Sequence, residues 1–107
     1  MNKLVRDKIA ANIEKRKGRV TSKTLTEKQF YQHIKIKLQE ELDELVELDF
    51  ANREANINEI SDLLLLLAHL QKILNISPKE IAQKQAKKIA KAGAFDKRIY
   101  RNRGFKG

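Results

Sequence analysis

The chain has 107 residues, no cysteine and a formal net charge of +9. That length suits one domain with a modest core. The missing thiols exclude disulfides, thiolate zinc sites and cysteine nucleophiles. A positive balance of this size permits nucleic-acid binding without demonstrating it. The segment Met1–Asp7 has no apolar run of the signal-peptide kind, and the longest apolar run, Leu63 to Ala68, is too short to span a bilayer. The expectation is a soluble, cytoplasmic protein with no membrane partner.

Taken in order, the patterns predict an all-α chain of four helices. Leu4, Val5, Ile9, Ala10 and Ile13 give a short amphipathic helix over 4–17. Lys15, Arg16 and Lys17 favour its C-terminus and Gly18 can supply a left-handed stop. Residues 19–25 are polar and β-branched, an extended connector. Thr26 and Gln29 have the spacing of a capping box, so a long helix is expected from there to about Phe50. Asn52 and Arg53 break the pattern, and a third helix is expected from about Ala55 to Leu74, closed by Asn75. Ser77, Pro78 and Glu80 make a second capping box with proline at the first helical position. The fourth helix should run to about Ala92 and stop at Gly93. The tail from Gly93 is basic, and its Phe95, Tyr100 and Phe105 predict that part of it docks. No internal repeat or low-complexity linker interrupts this single domain, 1–107.

The third helix bears on assembly. Ile60, Leu63, Leu64, Leu65, Leu66, Leu67, Leu70, Ile73 and Leu74 leave little of its circumference polar, and such a helix needs cover on several sides. Four helices of this length hardly supply it, so a homodimer or larger homo-oligomer is expected.

Charge is unevenly distributed. The stretch Leu38–Asp62 holds nine of the 14 acids and one base, Arg53, for a net −8; the remainder holds 22 bases and five acids. Projected from Ile34 at about 100° per residue, Leu38, Leu42, Leu45 and Leu48 share one face of the second helix, and Glu41 falls inside that apolar arc with Glu44 on its edge. Glu40 and Glu47 point further out. On the third helix, Glu59 and Asp62 bracket the stripe of Leu66, Leu70 and Ile73. Inward carboxylates are costly or protonate unless something neutralises them. One remedy is a shared hard cation, for which oxygen ligands at i and i+3 converge; the other is buried ion pairs with Lys and Arg. Asp43, Glu47, Asp49 and Glu54 read as solvated-face residues.

The spacing Glu41-x-x-Glu44 followed by Glu59-x-x-Asp62, with Glu40 completing a doubled glutamate, resembles the divalent-metal motif of the MazG-like all-α nucleoside triphosphate pyrophosphatases. Lys3-Leu4-Val5-Arg6-Asp7-Lys8-Ile9 and Gly93-Ala94-Phe95-Asp96-Lys97-Arg98-Ile99-Tyr100 resemble its phosphoribosyl-ATP pyrophosphohydrolase-like branch, so the likeness covers about residues 3–100. It implies a bundle-like fold completed by oligomerisation, and hydrolysis of a nucleotide, noncanonical ones included, to a monophosphate and pyrophosphate. It further implies Mg²⁺, with Mn²⁺ as the substitute, held by Glu41, Glu44, Glu59 and Asp62, and Glu40 as a further ligand or the group orienting the attacking water. Lys88 is the first choice as phosphate partner, with Lys91 beside it, then Arg6 and Lys37. His33 and His69 are read as surface or packing residues rather than bases. The rival reading is a basic helical nucleic-acid-binding or regulatory module on the same scaffold, favoured by Lys97, Arg98, Arg101 and Arg103.

Overall fold

The computed structural model describes residues 3–17 and 22–102. Its described residues form helices and no strand: α1 (Asp7–Lys17), α2 (Glu27–Glu47), α3 (Arg53–Ile73) and α4 (Pro78–Ala92). The all-α expectation is met. The chain divides into two compact units, Met1–Asn75 and Ile76–Gly107, each described here by itself.

In the first unit, α1 starts at Asp7 rather than Leu4. The Arg6 carbonyl accepts the amides of Ile9 and Ala10 at 3.0 and 3.2 Å, and the Asp7 carboxylate sits in the first turn, where the helix dipole favours it. Leu4 and Val5 are thereby left outside regular structure, ahead of the helix. Gly18 and the start of the connector lie outside the described residues.

The start of α2 is the capping box its sequence announces. The Gln29 amide donates to Thr26 Oγ1 at 3.2 Å, and the Thr26 amide donates to Gln29 Oε1 at 3.0 Å. The helix ends at Glu47, short of Phe50, because Leu48 is extended and short polar side chains take over the backbone beyond it. Asp49 Oδ1 accepts the Ala51 amide at 3.1 Å, and Asn52 caps α3 by accepting the Ala55 amide at 3.3 Å. Asn56 Nδ2 then donates to the carbonyls of Asp49 and Asn52, at 3.0 and 2.8 Å. A cap at Asn52 also explains why α3 begins earlier than its apolar pattern does. This short staple folds α3 back along α2 as a helical hairpin.

The hairpin is where the packing lies: among the described residues, α2 and α3 are the helices in extensive contact. Ile34 is fully buried between them, with Leu38, Leu45, Leu48, Leu63, Leu66, Leu70 and Ile73 half-buried around it. Among the described residues the other buried one is Glu41, only 8% exposed. Asn75 closes α3 in the left-handed region at φ 56°, a conformation asparagine tolerates better than most residues.

The second unit is α4 and the segment after it. Ser77 and Glu80 form a reciprocal capping box, with Pro78 in the first turn. Gly93, at φ 81°, ends the helix; a Cβ there would meet nothing within 4 Å, so its backbone conformation rather than space calls for glycine. Phe95 and Tyr100 are 94% and 84% exposed. The third aromatic of the tail, Phe105, lies outside the described residues. No single described helix is long and apolar enough to cross a membrane.

Candidate metal centre and adjoining pocket

The hairpin staple sets the register of the acids. Glu44 precedes Asn52 by two helical turns and Glu59 follows it by about two, so the antiparallel helices bring them level. Glu41, one turn further from the staple, enters the same space from the α2 side. One carboxylate oxygen from each of Glu41, Glu44 and Glu59 lies within 4.8 Å of the other two. Glu41 is buried, Glu59 half-buried and Glu44 exposed at the rim.

Three carboxylates at that range repel one another, and the chain answers in two ways. Lys37 reaches Glu41 at 3.6 Å and Glu40 at 3.8 Å, as i+4 and i+3 neighbours. A proton supplies the rest. Glu59 is pushed up to about 7, first because in its acid form it donates a hydrogen bond to Glu41, then by burial and by the charges of Glu41 and Glu44. Glu41 is held below its ordinary value, chiefly by the hydrogen bond from Glu59, against the opposing effect of burial and with help from Glu44 and Lys37. The pair titrates as a unit.

Above that titration Glu59 is a poorly served anion. Its Oε2 is buried and has no hydrogen-bond partner, a costly condition for an ionised carboxylate. An orphaned buried oxygen beside two more carboxylates fits a hard cation. The all-oxygen donor set suits a hard cation and gives a soft metal nothing to hold.

Asp62 departs from the expected ligand set. Its Oδ1 lies 2.5 Å from Arg6 Nη2. The reason is its partner: the Arg6 guanidinium holds Asp62 on the side of α3 that lines the adjoining pocket. Glu40 also stays outside the cluster, exposed and turned to Lys37. Lys37 is thus committed to glutamates, and Arg6 to Asp62. Lys88 and Lys91 are exposed on α4, in the second unit.

Beside the carboxylates opens a pocket of about 480 Å³. Its polar side is Lys3, Arg6, Asp7, Lys37, Glu41 and Asp62; its apolar side is Leu4, Val5, Ile9, Phe30, Leu65 and Leu66, with His69. His69 stands edge-on to Phe30, ring centroids 6.0 Å apart, a packing arrangement that agrees with reading it as no base. The role of Leu4, Val5 and Lys3 as pocket wall was not legible in their periodicity, which placed Leu4 and Val5 inside α1. The Arg6–Asp62 partnership was equally hidden, since it joins residues 56 positions apart. Compared with family models, with curated proteins and with solved structures, the chain matches none.

Proposed function

We propose that the chain is a Mg²⁺-dependent pyrophosphohydrolase of the MazG-like all-α kind, acting on a nucleoside triphosphate or a related phosphoanhydride. The observation that carries the reading is the buried, partnerless oxygen of Glu59 within the cluster of Glu41 and Glu44. Glu41, Glu44 and Glu59 would hold the cation, and a bound Mg²⁺ supplies charge for the phosphoryl oxygens and a more acidic water.

The pocket suits the rest of such a substrate. Lys3 and Arg6 place positive charge on the wall shared with Glu41 and Asp62. Arg6 has five N–H donors, and the contact with Asp62 Oδ1 is made through one nitrogen, so the guanidinium keeps donors for a phosphate oxygen. Phe30, Leu65 and Leu66 offer an apolar surface to a base or sugar. In the reaction, water oxygen bonds to phosphorus, the anhydride bond breaks, pyrophosphate leaves, and a carboxylate of the cluster takes the proton. Glu40 is the carboxylate outside the cluster that can orient the water, at the cost of its contact with Lys37.

The test is pyrophosphate release from a nucleotide panel with Mg²⁺ or Mn²⁺. Activity that disappears in a folded Glu41→Gln variant supports the reading. No release from any nucleotide with either metal rejects it.

One observation favours a second reading. Lys84, Lys87, Lys88 and Lys91 project from one side of α4 and all are exposed, as are Lys97, Arg98 and Arg101 beyond it. Such a stripe suits a phosphate backbone. Binding to DNA or RNA that weakens steeply with salt and survives Glu41→Gln would make the chain a nucleic-acid-binding module instead.

A further inference from the structure

The wall of the pocket that α2 and α3 do not supply is held by little. Lys3, Leu4 and Val5 lie outside regular structure, and Asp7 and Ile9 belong to the first turn of α1, yet all five line the cavity. Extensive helix packing among the described residues is confined to α2 and α3, so apolar burial fixes this wall only lightly. Arg6 sits at its middle. The Arg6 carbonyl receives the amides of Ile9 and Ala10, at 3.0 and 3.2 Å, and its side chain reaches Asp62 on α3. Pinning that one side chain sets both the entry of α1 and the course of the three residues before it.

Asp62 is the fixed end of the contact. Its side chain is 25% exposed and that of Arg6 60%, so the carboxylate is set into the α3 surface and the guanidinium comes to it from the open side. Its environment also differs from that of the clustered acids. Among the described residues, the carboxylates that converge within 4.8 Å are Glu41, Glu44 and Glu59, without Asp62. Glu59 has a buried oxygen that lacks a partner, whereas Asp62 already has a cation. Drawing Asp62 away to a metal would break a charge-assisted hydrogen bond and leave a guanidinium unpaired beside a dication.

We infer that Asp62 is a positioning residue rather than a ligand of the cation: it fastens the N-terminal segment along the pocket through Arg6 and aims the guanidinium at the phosphate of a bound nucleotide. The phosphate rests on the proposed function; the fastening rests on the contacts alone. The pair is neutral, so deleting both charges or exchanging them leaves the field at the cluster nearly unchanged. Because a half-exposed ion pair adds little to stability, these variants should keep their helices by far-UV dichroism.

Mn²⁺ binding, titrated by its paramagnetic resonance signal, should stay within about threefold of wild type in the double variant Arg6→Ala with Asp62→Ala, and in the exchanged pair Arg6→Asp with Asp62→Arg; Glu44→Gln should weaken it at least about tenfold. Hydrogen exchange at the Ile9 and Ala10 amides should quicken at least about threefold in Asp62→Ala and return toward wild type in the exchanged pair, a rescue that restoring a metal ligand could not explain. In turnover, Asp62→Ala should raise KM while kcat holds within a few-fold, and the double variant should raise KM no further than Arg6→Ala alone. Mn²⁺ affinity that falls in the double variant or the exchanged pair to the level of Glu44→Gln overturns the inference, and so do Ile9 and Ala10 amides indifferent to Asp62→Ala. If no nucleotide is hydrolysed, the proposed function falls, and the metal and exchange measurements still decide the role of Asp62.

Discussion

The cluster turns on Glu59, a carboxyl group whose environment suits its acid form better than its anion. As an acid it donates to Glu41; as an anion it has a buried oxygen with nothing to accept from. The sign of the pH effect follows. Its folded value, about 7, lies above the ordinary 4.5, so no penalty exists below about 4.5, and the metal-free protein loses stability as pH rises from there to 7. Glu59→Gln removes this loss: its melting temperature, measured without metal, should exceed that of the wild type at pH 8 and converge on it near pH 4. A divalent cation competes with the proton, so the melting-temperature gain from Mg²⁺ should grow between pH 5 and 8 in the wild type and stay flat in Glu59→Gln. For Glu41→Gln, turnover should fall by at least about a hundredfold, since removing even an outer partner of a metal ligand costs about 10–100-fold.

At the scale of elements, two caps and one staple arrange everything else. Thr26→Ala removes one side of the box that starts α2 and should cost about 1 kcal/mol, lowering the melting temperature by roughly 4–8 °C for a unit of this size. Both capping boxes, Pro78 and Asn75 could be read in advance because their signals are local. Glu41 and Glu44 were equally readable, because a helix repeats at a fixed angle and both carboxylates fell at the apolar arc. The place of Asp62 was less readable: spacing pairs it with Glu59, while Arg6, 56 positions away, holds its carboxylate, a contact that periodicity does not register. The early end of α2 depended on Asp49, Asn52 and Asn56 bonding the backbone of the loop, a competition that hydrophobic periodicity does not register. The Arg6 contact makes its own prediction. Arg6→Ala should raise KM for a nucleotide several-fold more than it lowers kcat, as expected for a group that holds phosphate without touching the reacting atoms; a pure loss of kcat would count against that role.

For the whole molecule the question is what completes a fold in which, among the described residues, one apolar side chain, Ile34, is fully buried. On the proposed function, ligand contributes. A divalent cation with nucleotide at about a hundred times its Kd should add about 2.7 kcal/mol, a rise of roughly 10–20 °C in the melting temperature that Glu41→Gln removes; a flat melting curve with Mg²⁺ and nucleotide would leave the cluster without a cation. The Arg6–Asp62 contact has a practical consequence here. The wall it adjoins includes Lys3, Leu4 and Val5, so a bulky group attached to this short segment would crowd the cavity that the segment lines.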